Sequence, residues 1–318
     1  MSRIHEALKK AELERTAAQQ TQVTGPRPNP QPNTSQEERS TATAVVADVL
    51  AQANVHPAEV EGPLQLDDLK ARCAHPAWKP DLKVSVFMSS TMDANVTEQF
   101  RTLRSRLNQL RTAQPLRTLL ITSPLAGEGK TFVANNLAHA IVRQGNRSTL
   151  IIDADLRRSN LHTHVGAPLT PGLSDYLRGQ AGEMKVIQHG QEGNLFFIPG
   201  GTPVSNPSEL LSNGRLKTLL DRVSAAFDWV ILDSPPCLPV ADATALADLC
   251  DGLLLVVRAG STPASVAQRA VRELRGRKIL GVVLNAADSS LQYAPYYTAA
   301  LYGNNYVHNG KQKSSVKQ

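Results

Sequence analysis

Residues 119–140, LLITSPLAGEGKTFVANNLAHA, join an apolar strand pattern to a helical pattern through a short turn that ends in Gly-Lys-Thr. Gly127 and Gly129 give this turn the backbone freedom to aim N–H groups inward, and the helix behind it offers its positive end to an anion. Lys130 adds a mobile charge for the outer oxygens of a polyphosphate, and Thr131 a hydroxyl for Mg²⁺. The stretch Gly127, Glu128, Gly129, Lys130, Thr131 therefore reads as a nucleotide-binding segment. It departs from the usual spacing, because the first glycine of the phosphate-loop pattern would fall at Pro124.

A plain strand-to-helix turn explains the loop taken alone, but not two acidic strand ends elsewhere in the chain. LIIDADLRR closes an apolar run with Asp153 and Asp155, and WVILDSPP closes another with Asp233. Carboxylates at the C-terminal ends of parallel strands face the crevice where open α/β sheets bind ligands. With Thr131 they make a set able to hold Mg²⁺, and with Lys130 they are the catalytic candidates. Arg157, two residues past the doublet, either faces the same anions or makes a structural ion pair.

The elements that must position these groups follow from pattern. We expect strands at 117–122, 148–153, 195–198, 229–233, 252–258 and 279–285, with helices at 130–144, 207–226, 241–249 and 263–275. The strands are unbroken apolar runs such as WVILD and GLLLVV, which suits strands covered on both faces. The expected fold is α/β, with a mainly parallel central sheet flanked by helices. Residues 1–19 read as an amphipathic helix with Ile4, Ala7, Leu8 and Ala11 at helical spacing. Residues 20–80 read as a mostly disordered, proline-rich linker, so the folded domain is expected at 81–288 and a flexible tail at 289–318.

Composition narrows the class. The 318 residues can bury a full core, the net charge of +6 is modest, and three well-separated cysteines give no disulfide framework. No apolar stretch approaches the roughly 20 residues of a membrane span, and the first residues lack the apolar core of a signal peptide. A cytoplasmic location is expected. His162 and His164 give no metal site on spacing alone.

As a set, SPLAGEGKT, IIDADLRR and ILDSPP resemble the three Walker-type motifs of the bacterial tyrosine kinases of capsule and exopolysaccharide assembly. The resemblance runs over about 90–306 and includes NPSELL at 206–211 and GVVLN at 281–285. It implies a P-loop NTPase fold of the deviant Walker group shared with MinD/ParA-type ATPases, with ATP and Mg²⁺ as cofactors. It also implies Asp153 as the base that accepts a tyrosine proton, with Asp155 and Asp233 positioning the metal. The family usually has proline where this chain has Ala126.

Five of the six tyrosines, Tyr293, Tyr296, Tyr297, Tyr302 and Tyr306, fall in one C-terminal stretch, and Tyr176 is the sixth. Such a cluster serves either as an aromatic docking element or as a phosphoryl acceptor; with an ATP site in the same chain we expect autophosphorylation. Glu98, Arg101 and Arg104 recur every three residues in NVTEQFRTLRSRL. They are a solvated helix face or, by the resemblance, a subunit interface closing a homo-oligomeric ring. The resemblance further implies a separate transmembrane polysaccharide co-polymerase as activator, a cognate phosphotyrosine phosphatase, no nucleic acid partner, and attachment to the inner membrane through the activator. The competing expectation is a MinD/ParA-like ATPase switch with no tyrosine substrate.

Overall fold

The computed structural model describes residues 62–89, 94–145 and 147–287. The expected N-terminal helix and the tyrosine cluster lie outside the described residues. Within them, the apolar runs become β1 (Thr118–Thr122), β2 (Thr149–Asp153), β3 (Gln188–His189), β4 (Leu195–Ile198), β5 (Trp229–Asp233), β6 (Gly252–Arg258) and β7 (Ile279–Asn285). One sheet holds them in the order β3-β4-β2-β5-β1-β6-β7, parallel throughout except for the β3–β4 pair.

Alternate residues of each central strand feed two separate cores. Leu120, Leu150, Ile152, Val230 and Leu232 pack on one face; Leu119, Ile121, Ile151, Trp229 and Ile231 pack on the other. The second face is covered by the helix Lys130–Val142, whose Val133, Ala134, Leu137, Ala138 and Ile141 are all buried. Burial on both sides explains why these strands show no polar alternation. The register sets Asp153 opposite Asp233 across β2 and β5, and Ile121 opposite Asp233 across β1 and β5. The two acidic strand ends therefore stand level with each other, beside the loop that leaves β1.

Two expectations need correction. The described fold begins well before residue 81: Leu64, Leu69, Cys73 and Trp78 are buried, and Leu69 sits on the helix Leu66–Arg72. Backbone bonds from Leu64 to Arg222, and between Ala74, Ile187 and His189, tie this segment down. Its apolar residues are too sparse to show a period, so its order comes from tertiary contact. The single helix expected at 207–226 is two, Pro207–Leu211 and Arg215–Ala226, because Gly214 adopts φ 83° between them. His162 and His164 lie on the short helix Leu161–Val165.

Candidate active site

The loop from β1 to the helix Lys130–Val142 is held from below by residues far away in sequence. Gly127 and Gly129 have φ of 83° and 91°, the left-handed region that glycine enters without strain. A Cβ on Gly129 would run into the Asn285 amide, and that amide donates to the Glu128 carbonyl at 2.9 Å. Arg258 donates to the Gly127 carbonyl at 3.2 Å. Pinning these two carbonyls leaves the opposite side of the loop for its N–H groups, as an anion cradle needs. The Glu128 side chain is buried and turned inward, accepting from the Leu125 N–H at 3.2 Å and from the Thr262 hydroxyl. Glu128 thus acts through its side chain as a brace of the loop. A cavity of about 480 Å³ opens between Leu125–Glu128 and Arg258–Thr262.

Lys130, Thr131 and the three aspartates come together above the centre of the sheet. Lys130 Nζ lies 3.0 Å from Asp155 Oδ2, and the Thr131 hydroxyl donates to Asp233 Oδ2 at 2.7 Å. Asp153 is wholly buried; its Oδ2 accepts from the Ser159 hydroxyl at 2.6 Å and the Leu161 N–H at 3.1 Å, and its Oδ1 from the Asp155 N–H at 3.2 Å. Burial, with the negative charge of Asp233 added, pushes the Asp153 carboxyl up to about 8 against the pull of Ser159 and Leu161. Burial also lifts Asp233, to about 6, with Lys130 and Thr131 opposing it. Burial by itself would lower Lys130, but Asp233, Asp155 and Asp153 outweigh it and hold the ammonium charged.

This cluster holds more negative charge than one lysine neutralises, and Asp233 Oδ1 is buried without a hydrogen-bond partner. An orphaned carboxylate oxygen beside a threonine hydroxyl is a fitting place for a hard divalent cation. Among the described residues no three His, Cys, Asp or Glu side chains converge in metal-binding geometry. Mg²⁺ here would be held by Thr131 and Asp233, with Asp153 and Asp155 close by and the rest of its shell drawn from nucleotide and water.

The structure separates Arg157 from that group. Its Nε donates to Asp242 Oδ2 at 2.7 Å and its guanidinium to Ser208 at 2.7 Å, while Ser208 donates to Asp242 Oδ1 at 2.5 Å. Arg157 is therefore the ion pair of the two alternatives, tying the doublet loop to NPSELL. On the helix Ala94–Ala113 the three charged residues also divide: Glu98 and Arg101 pair at 3.2 Å in solvent, whereas Arg104 reaches inward to the Ala140 carbonyl at 2.7 Å. Tyr176 is buried and bonded to Glu183, out of reach as an acceptor. Sequence reading missed Arg258, Thr262 and Asn285 as loop supports; the polar ends of two apolar strands were the available signal.

A family model described as an AAA domain matches residues 117–266. The chain is 37% identical over 196 residues to the tyrosine-protein kinase YwqD of Bacillus subtilis (strain 168), covering 61% of this chain and 82% of that one. It is 31% identical to the tyrosine-protein kinase CpsD of Streptococcus agalactiae over 70% of this chain and 96% of that one. The chain belongs to the bacterial tyrosine-protein kinases. The solved kinase domain of the Escherichia coli tyrosine kinase ETK superposes with a TM-score of 0.60 at 32% identity, covering 72% of this chain and 91% of that one. Other relatives are much longer, and the chain spans only 26–29% of their length. The fold is accordingly that of a P-loop tyrosine kinase. Among the described residues no helix is long and apolar enough to cross a membrane.

Proposed function

We propose that this kinase transfers the γ-phosphoryl group of ATP to the tyrosines of its own C-terminal cluster, Tyr293, Tyr296, Tyr297, Tyr302 and Tyr306. One observation carries the proposal: Lys130, Thr131, Asp153, Asp155 and Asp233 meet at the open end of the sheet beside a glycine loop with its carbonyls tied back. In this reading the loop amides and Lys130 hold the β- and γ-phosphates and neutralise charge as it moves to the leaving ADP. Bound Mg²⁺ supplies positive charge that polarises the γ-phosphate and favours the ionised forms of the nearby carboxylates. The tyrosine oxygen forms a bond to the γ-phosphorus, the bond from that phosphorus to the β,γ-bridging oxygen breaks, and the tyrosine proton passes to Asp153. Once ionised, Asp153 can take up the phenol proton, and the Ser159 hydroxyl and Leu161 N–H that donate to its Oδ2 fix the carboxylate for that transfer.

The exposed Glu98–Arg101 pair supports a ring in which the tail of one subunit reaches its neighbour. Family resemblance supports a separate transmembrane polysaccharide co-polymerase as activator, a phosphatase that resets the tail, and a role in exopolysaccharide or capsule polymerisation and export from the cytoplasmic side of the membrane. Incubating the full chain with labelled ATP, Mg²⁺ and the cytoplasmic segment of such an activator, then mapping the label, tests the proposal. Label on tyrosines 293–306 is expected. Release of inorganic phosphate with no labelled tyrosine would replace it with an ATPase switch.

A further inference from the structure

The sheet ends at β7, and this edge is finished differently from the rest. Among the described residues β7 has a strand neighbour only on its β6 side. Val282 and Leu284, two residues apart on β7, are 58% and 60% exposed, and Val271 on the helix Ala264–Glu273, 43% exposed, lines one groove with Val282. Val271 and Val282, with Leu255, Val257 and Ala267, line an apolar groove of about 360 Å³ whose rim carries Gln268 and Arg272. An apolar edge strand of seven residues is a template for unwanted pairing unless something covers it.

The nearest candidate is the chain itself. Ala286 adopts φ 54° directly after β7, which turns the backbone off the strand axis. Residues 291–302, LQYAPYYTAALY, contain no charged side chain and hold four of the tyrosines. Val282 lies five residues back from Ala287, about 17 Å along the strand, so roughly five extended residues bring the chain level with the groove near Tyr293. Tethering at that distance gives the segment an effective concentration of about millimolar. A tyrosine ring suits the apolar floor, with its hydroxyl at the Gln268 and Arg272 rim. Pro295 lacks an N–H for a ladder, which favours side-chain docking over an eighth strand.

We infer that residues 291–302 dock, within the same subunit, in the groove between β7 and the helix Ala264–Glu273. The inference holds whether or not these tyrosines accept phosphate, and it gives the tail a resting place on the domain that carries it. Limited chymotrypsin digestion of the full chain tests it, comparing cleavage after Tyr293, Tyr296, Tyr297 and Tyr302 with cleavage after Tyr306 as internal reference. Val282→Asp and Leu284→Asp, both at exposed positions, should speed cleavage within 293–302 by about fivefold or more, with Tyr306 and the melting temperature unchanged. Equal rates in wild type and both variants would overturn the docking. Protection that vanishes on dilution would assign the groove to a second copy and overturn the same-subunit assignment. Nucleotide binding, measured in the same samples, should be unaffected, which separates a failure of docking from a failure of the kinase reading.

Discussion

The end of the sheet at Lys130, Asp153, Asp155 and Asp233 and the helix carrying Glu98 and Arg101 both present charged motifs, yet they are opposite in physical character. In the first, every carboxylate is at most 4% exposed and the neighbours are fixed by strand register. In the second, Arg101 and Glu98 keep 54% and 64% of their side-chain surface in water. Charges taken out of water must be matched by partners or shift their proton affinity, so the first cluster stores electrostatic energy that a divalent cation would release. A pair left in water contributes little to its own fold, about 0–1 kcal/mol, and stays available to another surface. Burial thus separates the two motifs: one is held inside the subunit by strand register, the other stands in water, where the proposed subunit contact would find it.

The contrast can be broken at several points. The largest effect is expected for Lys130→Met, which strips the cluster of its cation; tail phosphorylation should fall by about 10³-fold, with ATP affinity falling too in a direct binding assay. Thr131→Val removes the hydroxyl on Asp233 Oδ2, and activity should drop roughly 10- to 100-fold, partly restored by higher Mg²⁺ concentration. Recovery should be absent if the hydroxyl only packs. Arg101→Glu should lower both particle mass and tail phosphorylation while moving stability by no more than about 0.5 kcal/mol. An unchanged mass would remove this helix from any ring. Arg104 is a poorer probe, because its bond to the Ala140 carbonyl makes it part of the subunit's own packing.

The smallest effect concerns pH. Asp153 and Asp233 hold protons in the nucleotide-free fold up to about 8 and about 6, whereas an unfolded aspartate releases its proton near 4. The folded state binds more protons across that window, so stability falls as pH rises through it. The melting temperature without nucleotide should therefore fall steadily between pH 5 and pH 8. Asp153→Asn should flatten most of that decline. Carboxyls held low, such as Asp175 and Asp242, titrate below this range and leave the window clean.

The parts of this account legible from residue order are those that are contiguous. Strands 195–198, 229–233, 252–258 and 279–285 were readable to the residue because each is an unbroken apolar run, and the Gly-Lys-Thr loop and both acidic strand ends are local patterns. The supports of the loop were not readable. Glu128 with Thr262, Asn285 with Glu128, and Arg157 with Asp242 join residues 134, 157 and 85 positions apart, and no local pattern encodes such pairs. The same limit hid the order of residues 62–80, whose few apolar side chains gain meaning only against β3 and the helix Arg215–Ala226. It also left Arg157 undecided, since a guanidinium beside an acidic doublet has the same sequence signature whether it meets a ligand or Asp242.

The most direct test of the buried cluster as transfer machinery is Asp153→Asn, assayed together for ATP affinity and for labelled phosphotyrosine in the presence of Mg²⁺ and activator. Asparagine keeps the shape and a hydrogen-bonding oxygen but cannot take up the phenol proton. The account predicts a loss of phosphotyrosine of about 100-fold or more with affinity held within a factor of about three. Full phosphorylation by the variant would contradict it.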